Sequence, residues 1–465
     1  MAHRSEATMV CCEQYTACLT NTGEIQMYGC HPYETREEYN EFRIEDKEYH
    51  SLKVPGLSEI QSLCTGFKHV IYMDSHGQVY TFGPDTDALG IGKPKVDPCY
   101  DYYTHDKIYI SSEEDECQVY TLGSGGYTSY GNGYGSINAG YISDGNGYAE
   151  NIDTEYSSDE IVQDYLPNSS YDFDESDSSE PEFNVKINKL NLPPVKQVSC
   201  GYNFNVCLTE DGEVYTFGSN GSYEIGQNVM AWGYHLYSPK IISSLKNIEF
   251  ISCGTHHTVC KSYTNEFYSW GENDHGQLGI GSNKNVYSPV KCENWPENIT
   301  DVKCGGSHTL VLTSIGTVYS CGNNEKGQLG RASTDCSVLN IIEDLSYITR
   351  MECGNSHSVC INLSEDLIVF GCNSKGQLGL GDTTDRNIPI KHPSLSSIID
   401  ISKGANHTLV KTSNNEIYGF GSNKCMQLGI RTEKKKQLTP IRLFEGNEDI
   451  WRSSARPSKA KSARN

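Results

Sequence analysis

At 465 residues the chain is long enough for a large core, yet only 36% of it is hydrophobic and its formal net charge is -23. An acidic body of this kind excludes a basic face for duplex nucleic acid and makes basic protein surfaces the better partners. The opening MAHRSEATMVCCEQ holds no apolar stretch of signal-peptide length, and no run of about 18 apolar residues occurs anywhere, so a cytoplasmic or nuclear protein without membrane contact is expected.

Residues 9–29 read as a hairpin turning at Thr22 and Gly23, and LKVPGLSEI, at the end of a charged connector over 31–60, reads as an outer strand. Residues 61–92 give a fuller unit: a strand, a Gly-x-x-His segment at Gly66 to His69, a second hairpin and ALGIG. From Lys93 the pattern fails, although DECQVYTLG within 107–123 resembles one more strand. Residues 124–183 are Gly-, Tyr-, Ser- and Asn-rich and then dense in Asp, Glu and Ser; such a composition cannot bury enough apolar surface to offset about 1–2 kcal/mol of backbone entropy per residue, so a long disordered loop is expected. It is either a solvated insertion or a regulatory arm, the latter with Ser157, Ser158 and Ser176 to Glu180 offering serines in acidic surroundings.

Regular units resume at Leu192. Cys200 to Gly226 has Phe204 where histidine stands in the other units and YEIG in place of GQLG, which predicts a loop that departs from its neighbours. CGTHHTVCKSYTNEFYSWGENDHGQLGIG, from Cys253, lies without gaps over CGGSHTLVLTSIGTVYSCGNNEKGQLG from Cys304 and CGNSHSVCINLSEDLIVFGCNSKGQLGLG from Cys353, and Lys403 opens a fourth copy. Gly271, Gly322, Gly371 and Gly421 lie roughly 50 residues apart, a period of propellers and solenoids. Inside a unit the apolar period is two, as in His308 to Leu312 and Thr317 to Ser320 around Ser314, Ile315 and Gly316, so each unit is a small antiparallel sheet and a helical solenoid is excluded. About 50 residues hold four ordinary strands with their turns. LTPIRL, Leu438 to Leu443, reads as the last outer strand, with ring closure against the first hairpin and removal of two exposed sheet edges. The basic WRSSARPSKAKSARN over 451–465 reads as a disordered tail.

The recurring Cys-Gly-x-x-His-Thr, hydrophobic strand, Gly-x-Val-Tyr and Gly-Gln-Leu-Gly, in this order and spacing, resemble the repeat of the regulator of chromosome condensation family. The copies are strong over Cys253 to Gly429, fair over Cys200 to Gly226 and weaker over Gly66 to Gly92 and Cys11 to Gly29, where Tyr15 replaces the histidine. The resemblance implies an all-β fold, a seven-bladed β-propeller of four-stranded antiparallel blades, with eight blades or one distorted blade left open. The chain then divides into N-terminal blades over 1–123, the insertion over 124–183, the remaining blades and closure over 184–450, and the tail over 451–465. For activity the resemblance implies a non-enzymatic protein-binding scaffold or, alternatively, guanine-nucleotide exchange on a Ran-type small GTPase. The partner is a protein, a small GTPase in the second case, and a monomeric ring is expected. Trp232, Trp270, Trp295 and Trp451 are widely spread, and resemblance to the ultraviolet-sensing branch of the family is not expected.

The residues add no chemistry to this. His69, His257, His308, His357 and His407 return once per unit, so they sit around a ring rather than converge within about 2 Å of one ion; each is expected to bond backbone within its own blade. Nineteen cysteines is an odd number; Cys200, Cys253, Cys304 and Cys353, with Cys207, Cys260 and Cys360, recur at fixed positions and read as small buried apolar residues. No Gly-x-x-x-x-Gly-Lys-Ser/Thr, His-Glu-x-x-His or Gly-x-Ser-x-Gly motif occurs, and no catalytic, cofactor or metal residue is assigned.

Overall fold

Each repeat makes its hairpins from the residue types that the turns require. Gly316, at φ +80°, closes the turn after one strand, and Glu365 and Asn415 hold the same left-handed position in the following repeats at φ 60° and 62°. The structure, a computed structural model, describes residues 60–83, 88–91, 187–228, 235–332, 336–430 and 434–443, with strands at 9–11, 15–19, 25–29, 52–53, 107–110 and 118–121. The expected disordered insertion over 124–183 falls outside the described residues, as does the tail over 451–465.

By contacts the chain divides into two units, Met1–Asp97 with Phe183–Asn465, and Pro98–Glu182. In the larger unit the first sheet is β1 (Met9–Cys11), β2 (Tyr15–Leu19), β3 (Ile25–Gly29) and β4 (Leu52–Lys53). The second begins with β5 (Ile60–Thr65), β6 (Val70–Asp74) and β7 (Val79–Phe82). The smaller unit holds β8 (Lys107–Ile110) paired with β9 (Gln118–Thr121) in a two-stranded ladder. The second sheet is completed after that unit, by β10 (Asn188–Lys189) paired with β7.

Four more sheets follow the same plan in sequence: β11 (Val195–Cys200), β12 (Phe204–Thr209), β13 (Val214–Ser219) and β14 (His235–Ile241); β15 (Ile248–Cys253), β16 (His257–Ser262), β17 (Phe267–Gly271) and β18 (Val286–Lys291); β19 (Ile299–Cys304), β20 (His308–Thr313), β21 (Val318–Gly322) and β22 (Asn340–Ile341); β23 (Ile348–Cys353), β24 (His357–Asn362), β25 (Leu367–Gly371) and β26 (Arg386–Lys391). The last is β27 (Ile398–Lys403), β28 (His407–Thr412), β29 (Ile417–Ser422) and β30 (Lys436–Leu443). Among the described residues these make seven four-stranded antiparallel sheets, and no described residue is helical.

The first strand of every sheet packs beside the first strand of the next, from β1 to β5, β11, β15, β19, β23 and β27, and β27 packs beside β1. The larger unit is therefore a β-propeller closed on itself. Closure is by sheet faces: among the described residues β1 pairs only with β2, and β30 with β29, so no described strand pairing joins the two ends and the expected removal of two sheet edges is not seen among them. A register shift after the first residue recurs in β5, β11, β15, β19, β23 and β27, for example between Ile299 and Asp301, and adds local twist where neighbouring sheets splay from the axis. Second strands are buried on both faces, every residue of β12, β20 and β28 included, and so read as continuous Val-, Leu- and Thr-rich runs. Apolar side chains fill the wedges between sheets; Leu310, Leu312 and Val318 of the fifth meet Met351, Cys353 and Phe370 of the sixth.

Candidate protein-binding face

The recurring histidine joins one sheet to the next. His257 Nε2 lies 2.9 Å from Thr309 Oγ1, His308 Nε2 3.0 Å from Ser358 Oγ, His357 Nε2 3.0 Å from Thr408 Oγ1, and His407 Nε2 3.0 Å from Thr16 Oγ1. Each hydroxyl donates its single proton to a glutamine carbonyl of the preceding loop, Gly-Gln-Leu-Gly or, in the last repeat, Met-Gln-Leu-Gly: Thr309 to Gln277, Ser358 to Gln328, Thr408 to Gln377 and Thr16 to Gln427, at 2.7–2.9 Å. The hydroxyl must then accept from the ring, which fixes the proton on Nε2 and leaves Nδ1 a bare acceptor without a partner. This corrects the expectation of a bond to backbone within the same blade. Complete burial holds His257, His308, His357 and His407 neutral, with pKa values lowered to about 3, and His69 to about 4.

The residue after each histidine is thus the acceptor for the preceding histidine, and the exceptions obey the same logic. His69 Nε2 donates to Asn205 Oδ1 at 3.0 Å while Asn205 Nδ2 donates to the Ala88 carbonyl at 2.8 Å, so the amide replaces a hydroxyl in both roles. Val70 follows His69 and offers no acceptor; the preceding sheet correspondingly has Tyr15, whose hydroxyl donates to the His69 carbonyl at 2.9 Å. Phe204 can donate nothing, and Thr258 opposite it turns back to Cys253 Sγ, at 3.7 Å. In that interface Trp270 Nε1 donates to the Glu224 carbonyl at 2.8 Å, and the buried Glu224 carboxylate holds His256 Nδ1 at 2.9 Å. Burial alone would lower the His256 pKa; the bond and charge of Glu224 overcome it, and the value is raised.

Two glycines of each repeat are required by this packing. A Cβ on Gly66, Gly254, Gly305 or Gly354 would overlap the ring of the histidine three residues on. The last glycine of the loop, left-handed at Gly226, Gly330 and Gly379 with φ 62°, 65° and 70°, lies against Trp270, Phe370 and Phe420 of the next sheet. The YEIG loop does not depart from its neighbours in backbone: Tyr223, at φ 67°, takes the left-handed position of Gly276, Gly327 and Gly376, with the same turn bonds.

Among the described residues the cysteines are free thiols, and Cys200, Cys253, Cys304, Cys353, Cys207, Cys260 and Cys360 are buried. Burial pushes Cys304 up to about 11. Among the described residues no three of His, Cys, Asp and Glu are grouped as metal ligands. The inner strands carry ion pairs between neighbours, Lys303 to Glu352 at 2.9 Å and Arg350 to Asp400 at 2.7 Å.

The parts left for recognition are the strand connections at the two ends of the ring. At one end the x-x residues of each Gly-x-x-His are linked loop to loop, Tyr202 N to Thr255 O and Thr255 N to Gly305 O. At the other, the turns between second and third strands are bonded to the loop entering their own sheet, as Ser314 N is to Asn298 O, and large apolar side chains stand in solvent: Ile315 is 76% exposed and Leu363 72%. A cavity of about 440 Å³ opens at this end between the 265–267 turn and the 292–298 loop, where Trp295 stacks on Phe267 at 5.1 Å.

The profile for an RCC1-like domain matches residues 168–389, and that for the regulator of chromosome condensation (RCC1) repeat matches 398–427, together more than half of the chain. The serine/threonine-protein kinase Nek9 of Xenopus laevis is 30% identical over 254 residues, 54% of this chain and 23% of the kinase, so the chain spans about a quarter of that relative's length. The ultraviolet-B receptor UVR8 of Arabidopsis thaliana is 30% identical over 271 residues, 56% of this chain and 60% of the receptor. Trp270 and Trp295, the two described tryptophans, sit in separate apolar clusters. Among solved structures, yeast RCC1 (Prp20) bound to Kap60 superposes with a TM-score of 0.61 at 14% identity, covering 96% of this chain and 87% of that one. With matching profiles, a matching fold and one inter-blade bonding scheme behind the repeated residues, the chain belongs to the regulator of chromosome condensation repeat family.

Proposed function

We propose that the protein is a non-enzymatic scaffold, a seven-bladed ring that binds other proteins through the connections at its ends. The observation that carries this reading is the division of labour within a repeat. The polar residues that recur, histidine, hydroxyl and glutamine, are consumed in holding sheet to sheet, whereas the most exposed large apolar side chains, Tyr263, Ile315, Tyr347 and Leu363, are at connections. Prp20, the yeast relative of the same fold, is described in complex with the protein Kap60. The segment 124–183 is taken as an insertion that adds no blade, between blades over 1–123 and 184–450, with 451–465 as a tail. The body binds no duplex nucleic acid, and the ring is a monomer. Free thiols throughout the described residues fit the reducing cytoplasm or nucleus, and no described helix is long and apolar enough to cross a membrane.

The test is cross-linked affinity purification of the full chain from its own cells together with release of labelled GDP from a panel of small GTPases of the same organism. A stoichiometric protein partner without faster GDP release is the expected result. Accelerated release from one GTPase would replace the scaffold with an exchange factor, and the absence of any protein partner would overturn both.

A further inference from the structure

We infer that the end of the ring carrying the turns between second and third strands, over the fourth to sixth sheets, docks a basic segment with a large apolar anchor contributed by a protein partner; this rests on the protein-binding reading above. The surface is firmly built. Tyr263 N donates to Asn247 O at 2.9 Å, Ser314 N to Asn298 O at 2.9 Å and Leu363 N to Tyr347 O at 2.8 Å, so each turn is fixed to the loop entering its own sheet.

On this frame Tyr263, Ile315, Tyr347 and Leu363 are exposed by 58%, 76%, 68% and 72%. They come from neighbouring sheets at one end of the ring, in turn positions where small polar residues are the rule and where the seventh sheet has Ser413 and Asn414. Tyr347 also holds φ 54°, a left-handed conformation that Asn247 and Asn298 take in the equivalent loops; a tyrosine there costs backbone energy without gaining burial.

Beside this patch the loop after β18 is one residue longer than its counterparts. Trp295 stands where Leu245, Leu345 and Leu395 are buried, and it is only partly buried, on the wall of the 440 Å³ cavity, stacked on Phe267. The cavity offers an aromatic wall to an apolar side chain.

The charge of the same end selects the partner. Glu210, Asp211, Glu293, Glu297, Glu343 and Asp344 are exposed in these turns and loops, and none has an ion pair among the described residues; of the cations at this end Lys291, Arg350 and Lys391 are matched, to Glu266, Asp400 and Asp366, Lys196 lies over the Tyr263 ring at 4.8 Å, and Lys246 is exposed, so the acidic groups stand in excess. An acidic rim around apolar anchors repels phosphate-bearing surfaces and attracts a segment in which Lys or Arg flanks a large apolar residue.

The experiment measures fluorescence anisotropy of a labelled Gly-Ser peptide bearing arginines around one tryptophan, and of the same peptide with glutamates for the arginines, on the full chain. The arginine peptide is expected to bind with salt-sensitive affinity and the glutamate peptide not to bind. The combined change Ile315→Ser, Tyr347→Ser and Leu363→Ser, or Glu343→Lys with Asp344→Lys, should weaken binding about tenfold or more, while Asp274→Lys with Glu325→Lys, at the opposite end, should leave it unchanged; unaltered melting shows that the variants fold. Equal losses from both ends, no loss from the apolar change, or equal binding of the glutamate peptide would overturn the assignment. Tighter peptide binding after reversal of Arg452, Arg456, Lys459, Lys461 and Arg464 would identify the chain's own basic residues as the occupant and overturn the choice of a partner. The scaffold reading fails separately, only where affinity purification of the wild-type chain yields no protein partner.

Discussion

At the scale of single residues, one histidine serves as a neutral donor in a dry interface, and this ties stability to pH. In the folded chain His257, His308, His357 and His407 titrate near about 3 and His69 near about 4, against about 6.5 for an unfolded chain. Between those values the unfolded chain binds protons that the folded chain refuses. The neutral rings therefore contribute fully above about pH 6.5, and each loses up to roughly 1.4 kcal/mol per pH unit below it. His256, with its raised pKa beside Glu224, has the opposite sign: its contribution is present at low pH and fades as pH rises through the raised value. The five outweigh the one. Thermal melting followed from pH 7.5 to 5 should show a steep fall below about 6.5, and His308→Gln should make it shallower even as it lowers Tm; a flat profile would contradict buried neutral rings.

The sequence made the periodicity of these histidines legible, and with it their failure to converge on a metal. It did not reveal their partner, because the acceptor is the residue after the next histidine, some 50 positions away, as Ser358 is from His308. One chain nevertheless held the clue: Val70, without a hydroxyl, faces a sheet with Tyr15 in the histidine position, so the two exceptions coincide.

At the scale of the element, the connection between first and second strands is set by a glycine under an imidazole. Replacing Gly305 by Ala puts a methyl into the His308 ring and 2.7 Å from the Gly354 carbonyl, both in an interface with no room to give. A loss of about 3 kcal/mol or more is expected from such overpacking, read by urea unfolding; a change below about 1 kcal/mol, the size of an ordinary surface substitution, would mean that the ring is not held against the glycine. Hairpins were plain from alternation and turn residues over Cys253 to Gly429. The fourth strand of the second sheet was not, because Asn188 and Lys189 are only two residues long and reach β7 after more than a hundred intervening residues. YEIG misled for a physical reason: main-chain bonds to Asn220 and Gly226 impose the left-handed turn even on Tyr223.

At the scale of the whole molecule, the first sheet is the keystone, touching β5 on one side and β27 on the other. Removing residues 1–30 would uncover apolar faces of the second and seventh sheets, so a lower Tm and concentration-dependent association are expected by light scattering; an unchanged monomer with unchanged melting would contradict the closed ring. The ends of that ring present the surfaces for a partner, and their geometry depends on closure. The most direct measurement is a double-mutant cycle across the junction, Thr16→Val and His407→Gln, whose side chains meet at 3.0 Å although they lie 391 positions apart in the chain. Closure predicts that the two changes are coupled by about 1 kcal/mol or more in urea unfolding; strictly additive losses would show that the first and last sheets do not meet.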